Sequence, residues 1–165
     1  MKIDFSTFHA SDHKYDYSLC GTITVDDGGF QREIEVEIRP DINGNIFESS
    51  KEELQFFADN YDKYREIYLD ALLSYYQELR TGLGYYCEEE VDGYPYITSI
   101  EQLLETIKFT GIIIHEEKRN DHHAIGLYFD TTWEEEHGAG VLMAGYDVID
   151  TGNFDHAYYA YALSD

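Results

Sequence analysis

The segment from Trp133 to Val141 holds the densest group of side chains that could do chemistry. It contains the single tryptophan of the chain, three glutamates, a histidine and two glycines: Trp133, Glu134, Glu135, Glu136, His137, Gly138 and Gly140. Glycines in this pattern indicate a positive φ or a close backbone approach. One interpretation is a β-bulge or turn in which Trp133 covers the end of a sheet. The other is a loop whose tryptophan and glutamates contact a basic partner.

The histidines could supply metal ligands. The run from His115 to Arg119 departs from the H-E-x-x-H motif, because Arg119 stands where the second histidine is required. His122 and His123 would point to opposite faces of a strand. His137, one of that pair and a carboxylate would give the three ligands of a catalytic zinc site. This set defines an alternative function, a small metal-dependent hydrolase, although the sequence predicts no metal and no cofactor.

Nucleophilic catalysis has little support in the sequence. There is no G-x-S-x-G motif, no P-loop and no G-x-G-x-x-G. Cys20 lies in a predicted strand, where a cysteine is usually a small buried apolar residue. Cys87 precedes three glutamates, and negative neighbours make a thiol less reactive. We therefore predict no catalytic residue and expect a binding protein rather than an enzyme. Whether Cys20 and Cys87 are paired stays open.

The charge balance favours a basic partner. The chain carries 34 acidic and 11 basic residues, a formal net charge of -23. Such a field repels nucleic acids and anionic membranes, whereas it accelerates association with a basic protein. The loop from Glu88 to Gly93 is a second candidate contact region, with the acidic residues Glu88, Glu89, Glu90 and Asp92. The non-functional alternatives are that residues Glu88 to Gly93 form an ordinary solvated loop and that the net charge only maintains solubility. An acidic adaptor or a nucleic-acid mimic is a further alternative.

Length and composition predict one domain over residues 1–165. A chain of 165 residues with 43% hydrophobic residues can bury a core without disulfides or metals. Two cysteines indicate a reducing compartment. Because Met1 to Phe5 contains no apolar signal core and no run approaches a membrane span, we expect a cytoplasmic protein. The oligomeric state is not predicted.

The first third of the chain predicts an antiparallel hairpin. A strand from Leu19 to Val25 is followed by the turn Asp26 to Gly29. The next strand, Glu33 to Arg39, alternates strictly between apolar and charged residues. One face of the hairpin should therefore meet the core and the other should meet water.

The middle of the chain predicts one long and one shorter helix. A capping box at Ser50 and Glu53, or at Ser49 and Glu52, begins the long one. Its apolar positions recur every three or four residues from Leu54 to Leu79. Thr98 and Glu101 form the capping box of the shorter helix.

The last third predicts strands again. They comprise Phe109 to Ile114, Ala124 to Phe129, a hairpin that turns at Ala144 and Gly145, and a closing strand from Tyr158 to Ala162. Strands grouped apart from helices predict an α+β domain. We expect a mostly antiparallel sheet with one long and one shorter helix packed on one face.

The region from Ile125 to Gly152, centred on Asp130 to Val141, resembles a small bacterial domain family of unknown function. Its signature is Trp-Asp/Glu-x-Glu-His-Gly-x-Gly-Val, and its members often look like immunity proteins of polymorphic or contact-dependent toxin systems. The matching positions are Trp133, Glu134, Glu136, His137, Gly138 and Gly140. The resemblance covers roughly the last 40 residues, and it implies a cytoplasmic immunity role without naming a catalytic residue. Its expected partner is a basic toxin, with nucleases among the candidates.

Overall fold

The computed structural model describes residues 1–14, 16–85, 91 and 93–163. Their strands form one seven-stranded sheet in which neighbours in sequence are neighbours in space. The strands are β1 His9–Ala10, β2 Leu19–Asp27, β3 Phe30–Ile38, β4 Ile107–Arg119, β5 His122–Thr131, β6 Ala139–Ala144 and β7 Asp147–Gly152.

All neighbouring strands are antiparallel except β3 and β4, which are parallel. A parallel pair needs a long crossover, and the described part of this crossover holds three helices. They are α1 Glu48–Asp59, α2 Tyr61–Gly82 and α3 Ile100–Leu104, and a fourth helix, α4 Phe154–Tyr158, follows β7. The predicted α+β class with a mostly antiparallel sheet is confirmed. None of the helices in the described ranges has the length and apolar character needed to cross a bilayer.

The main core lies between the sheet and α1 and α2. Ile34, Val36 and Ile38 of β3 are buried, while Glu33 and Glu35 between them are exposed, as the alternation predicts. The Tyr68 ring lies 5.6 Å from the Phe109 ring and 5.1 Å from the Phe129 ring. Tyr64, Tyr68 and Tyr76 are among the largest fully buried side chains. These tyrosines of α2 therefore stabilise the core and are not available to a partner.

The predicted long helix is two helices, which meet at Asn60. The capping boxes at Ser50/Glu53 and Ser49/Glu52 are wrong, because α1 begins at Glu48 after an N-cap residue, Phe47, that makes no side-chain cap. Glu53 instead turns inward towards β5.

The capping box of α3 is displaced by one residue. Its N-cap is Ser99, whose hydroxyl accepts a hydrogen bond from the Gln102 backbone N at 3.2 Å. The Gln102 side chain in turn accepts from the Thr98 N–H at 2.8 Å. Thr98 therefore precedes the cap instead of forming it.

The predicted closing strand from Tyr158 to Ala162 is wrong. Residues 154–158 form α4, which begins at Asn153, whose side chain accepts a hydrogen bond from the Asp155 N–H. His115 Nε2 donates to the Ala157 carbonyl at 2.8 Å. Because His115 alternates with the core residue Ile114 along β4, α4 lies on the face opposite the main core. Helices therefore cover both faces of the sheet, not one.

Candidate functional site

Trp133 belongs to the core. It is 4% exposed, and its ring centroid lies 4.9 Å from that of Tyr76 on α2. Its indole Nε1 donates to Thr106 Oγ1 at 3.1 Å. A side chain enclosed in this way joins the loop after β5 to α2, so it offers no surface to a partner.

The two glycines of the same segment are structural, as predicted. Gly138 has a φ of +55°, and a Cβ placed there would lie 2.2 Å from the Phe129 carbonyl oxygen. A Cβ at Gly140 would lie 2.6 Å from the Asn153 carbonyl oxygen and 2.9 Å from Ala157 Cβ. Only glycine fits both positions without a shift of the backbone. For Trp133, Gly138 and Gly140 the turn interpretation is therefore the better one.

The polar residues of the segment remain accessible. Glu135, Glu136 and His137 are exposed, and Glu134 is half-buried. Glu134 Oε1 accepts from the His137 N–H at 3.2 Å and lies 3.3 Å from His137 Nδ1. Glu135 and Glu136 thus stay candidates for partner contact, while Glu134 fixes the turn. The other predicted contact residues, Glu88, Glu89, Glu90 and Asp92, lie outside the described residues, as does Cys87.

Acidic and basic side chains are distributed asymmetrically. Glu53 is the one acidic residue of the described ranges that is buried, and most of the others are exposed. In contrast, Arg32, Arg39, Arg65 and Arg80 are partly or fully buried. Arg39 is turned towards α4, where its NH1 donates to the Tyr158 carbonyl at 2.6 Å. Most acidic side chains therefore face solvent, while four of the five arginines are at least partly enclosed by the fold; Arg119 and every lysine except Lys51 are exposed.

Exposed glutamates without ion pairs to other described residues lie on the face of the β2–β3 hairpin that points away from the main core, which we call the open face of the hairpin. Glu33 and Glu35 are exposed opposite Thr24 and Thr22 of β2. Neither glutamate forms an ion pair with another described residue. The negative charge of Glu35 and Glu37 contributes, after burial, to raising the pKa of Tyr128 on the same face to about 12. This part of the sheet is acidic.

A cleft lies on the other side of the hairpin, between its turn and α2. Asp27 anchors the turn: its two carboxylate oxygens accept from Arg65 Nε at 2.9 Å and from Arg32 Nε at 2.7 Å. Burial alone would raise the pKa of Asp27, but hydrogen bonds from Arg65 and Arg32 outweigh burial and hold that pKa below its usual value. The wall of the cleft is therefore held in place by two charge-assisted hydrogen bonds.

The cleft has an apolar interior and an acidic rim. Its inner cavity, about 170 Å³, is lined mainly by Tyr68, Leu69, Leu104, Ile107, Phe109 and Phe129. Its outer part, about 390 Å³, is bordered by Asp26, Asp62, Glu66 and Asp70 above Leu69 and Ile100. Phe30, which is 73% exposed, lines the inner cavity at the turn. Concave apolar surface with a few polar groups is typical of binding sites.

The metal site of the hydrolase alternative is not assembled. His122 begins β5, while His137 follows the opposite end of that strand, where Gly138 meets Phe129. At about 3.3 Å per residue along a strand, the two histidines are more than about 20 Å apart. No group of three His, Cys, Asp or Glu side chains within the described ranges is arranged to hold a metal ion.

His122 and His123 instead bind a buried carboxylate. Glu53 Oε1 accepts from the His123 backbone N–H at 2.8 Å, and Glu53 Oε2 lies 2.9 Å from His122 Nδ1. Ser49 Oγ lies 2.7 Å from His123 Nε2. These contacts join α1 to the start of β5. Sequence reasoning missed them because 74 residues separate Ser49 from His123 and no short motif contains both.

Cys20 is a free, half-buried thiol on β2. Burial raises its pKa, and the negative charges of Glu37, Asp16 and Asp12 raise it further. A thiol with a raised pKa is a weak nucleophile at neutral pH. The prediction that Cys20 is an unreactive strand residue agrees with this environment.

The fold and its cleft define a mostly antiparallel α+β domain with an acidic exterior. Residues 6–159 match the family model described as Domain of unknown function (DUF6985), and the chain belongs to that family. No curated protein and no solved structure matches the chain.

Proposed function

We propose that this chain is a cytoplasmic immunity protein that neutralises a basic toxin by direct binding. The observation that carries the proposal is the asymmetry of charge: most acidic side chains face solvent, while four of the five arginines are partly or fully buried. A fold of this kind cannot compensate its own charge of -23. A basic protein surface can, and the field would steer the two proteins together.

The cleft beside α2 is the proposed centre of the interface. Its wall is fixed by the Asp27 ion pairs, and the exposed ring of Phe30 offers apolar surface near the rim of Asp62, Glu66 and Asp70. Binding hot spots concentrate in such concave, partly apolar positions. The open face of the β2–β3 hairpin is also acidic, and we expect it to contribute to steering more than to contact.

The first experiment is binding of the purified chain to the toxin-like protein encoded beside its gene, measured by surface plasmon resonance at about 50 mM and about 500 mM NaCl. We expect a one-to-one complex with nanomolar Kd and an association rate that falls steeply with salt. If no complex forms at either salt concentration, the immunity proposal fails.

A matched pair of double variants then locates the interface. E66K/D70K changes the rim of the cleft, and E33K/E35K makes the same change in net charge on the open sheet face. Both should slow association, but only E66K/D70K should also speed dissociation and raise Kd by more than about tenfold, because it alone changes the contact. Equal effects of the two variants would mean that the charge acts only at long range.

The adaptor and nucleic-acid-mimic alternatives make a different prediction. A mimic should compete with DNA for many unrelated DNA-binding proteins, since it would imitate the phosphate charge that they all recognise. An immunity protein should discriminate strongly between its toxin and an unrelated basic protein of similar net charge.

A further inference from the structure

The hydroxyl of Ser49 and the imidazole of His123 have the geometry of a nucleophile and its base. Ser49 Oγ lies 2.7 Å from His123 Nε2. The other ring nitrogen, His123 Nδ1, lies 2.9 Å from the His115 carbonyl oxygen and 3.1 Å from the Glu116 carbonyl oxygen. A carbonyl oxygen can only accept, so Nδ1 carries the proton and donates to them.

This arrangement fixes the protonation of the pair. Burial, together with the positive charge of Lys118, lowers the pKa of His123, so the ring is neutral at physiological pH. A neutral ring with its proton on Nδ1 has a free lone pair on Nε2. Ser49 must therefore donate its hydroxyl proton to Nε2, which is the polarity that a serine nucleophile requires.

The surroundings supply two further parts. Ser49 is the second residue of α1, a helix of 12 residues, and helical side chains tilt towards the N-terminus. The Ser50 N–H donates to the Phe47 carbonyl at 3.1 Å, so it is the helix dipole that favours a developing negative charge at this end. Beside the pair lies the ring of Phe47, which is 39% exposed, with its centroid 5.6 Å from that of His123. Ser49 itself is only half-buried.

We infer that Ser49 and His123 form a serine–histidine dyad that accepts acyl groups from small carboxylic esters. This activity goes beyond the proposed binding function and does not depend on it. Ser49 is the nucleophile, His123 is the general base, and the His115 and Glu116 carbonyls position the imidazole. Phe47 offers an apolar surface to the acyl group.

The reaction takes place in two balanced steps. Ser49 Oγ attacks the ester carbonyl carbon while His123 Nε2 takes the hydroxyl proton. The bond between the acyl carbon and the alcohol oxygen then breaks, and the alcohol leaves with that proton. In the second step, water attacks the acyl-serine while giving its proton to His123. That proton returns to Ser49 as the carboxylic acid is released.

Labelling with a fluorophosphonate probe tests the dyad on the intact chain. We expect one adduct per chain in the intact mass, located on the peptide that contains Ser49. The S49A variant should lose the adduct, whereas S74A, which changes an exposed serine of α2, should keep it. Hydrolysis of p-nitrophenyl acetate by the wild-type chain should show the same dependence on Ser49.

H123Q removes the base and should slow labelling about 100-fold. Because His123 is buried and its loss could disturb the fold, the wild-type peptide map is the decisive measurement. An unlabelled Ser49 in the folded wild-type chain, adducts spread over several serines, or an adduct that persists in S49A would each overturn the dyad.

Discussion

Two inward-facing carboxylates, Asp27 and Glu53, are held by different side chains: arginines bind Asp27, and histidines bind Glu53. Asp27 accepts from the guanidinium groups of Arg65 and Arg32 at the turn between β2 and β3. Glu53 accepts from the backbone N–H of His123 and lies against the imidazole of His122 at the start of β5. Both carboxylates join a helix to the sheet, α2 in the first case and α1 in the second.

The difference determines how each region responds to pH. Arginine stays charged at every accessible pH, so the wall of the cleft keeps its ion pairs wherever Asp27 is ionised. An imidazole changes its charge between pH 5 and 8 unless its environment prevents this. The histidine region therefore combines one buried carboxylate with the ring of His123, whose pKa is lowered by burial. The cleft, in contrast, suits binding under varied conditions.

Removal of the buried carboxylate should have the largest effect on stability. E53A leaves the His123 N–H without its acceptor and removes both Glu53 contacts to β5. We expect a loss of about 3 to 5 kcal/mol in the free energy of unfolding, measured by urea denaturation at pH 7. E52A changes an exposed neighbour and should lose less than about 0.5 kcal/mol. Equal effects of the two variants would show that the Glu53 contacts contribute little.

The buried histidines should make the wild-type chain less stable in acid. Burial lowers the pKa of His115 to about 4, and burial also lowers that of His123. A folded-state pKa below the unfolded value means that the unfolded chain binds more protons. The contribution of these histidines to the free energy of unfolding is therefore fully present above about pH 6.5. It should be lost progressively from there to about pH 4, by about 3 kcal/mol for His115 alone.

H115Q tests this assignment. Glutamine can still donate to the Ala157 carbonyl, but it does not titrate, so the decline in stability between pH 6.5 and pH 4 should become shallower. If the urea midpoint of the variant falls with pH as steeply as that of the wild type, other groups cause the acid sensitivity.

Substitution of the arginine-bound carboxylate, Asp27, should lower the free energy of unfolding less than substitution of Glu53 does. D27N keeps one acceptor oxygen but removes the negative charge that both half-exposed arginines, Arg32 and Arg65, pair with. We expect a loss of about 1 to 2 kcal/mol in urea denaturation at pH 7. Because the pKa of Asp27 is lowered, its contribution should be constant above about pH 4 and be lost only below that value. D147N, on an exposed position of β7, is the control and should match the wild type. If the loss of stability in D27N grows between pH 6.5 and pH 4, the two regions do not differ in their response to pH as proposed.

Local sequence patterns predicted secondary-structure elements better than they predicted the tertiary contacts of those elements. The alternation in Glu33 to Arg39 predicted the β2–β3 hairpin correctly, because a period of two depends only on neighbouring residues. The closing strand predicted from Tyr158 to Ala162 was wrong. Tyr158 ends α4 and Tyr161–Leu163 form a 3-10 helix, and helices of five and three residues are too short to show a helical period. The Ser50/Glu53 cap was wrong because a tertiary contact, Glu53 to β5, outweighed the local one.

The candidate sites show the same limit. Gly138 and Gly140 were predicted as backbone requirements, since glycine indicates such positions by its type alone. The Asp27–Arg65 pair and the Ser49–His123 pair join residues that are 38 and 74 positions apart. Neither pair has a sequence motif, so the folded chain was needed to find them. Trp133 was a good candidate for an interface by its type, but its burial against Tyr76 could only be seen in three dimensions.

The smallest expected effect concerns the rim of the cleft. Asp62, Glu66 and Asp70 follow one another at spacings of four along α2, and like charges at this spacing destabilise a helix. E66Q should therefore raise the free energy of unfolding by up to about 0.5 kcal/mol, and about 1 M NaCl should abolish the gain. E78Q is the matched control, because Ser74 and Gly82 stand four residues away on either side and carry no charge.

A more stable E66Q variant that binds the toxin less tightly would mean that the rim is kept for binding at the expense of stability. Unchanged stability and unchanged binding would reduce the rim to ordinary solvated surface.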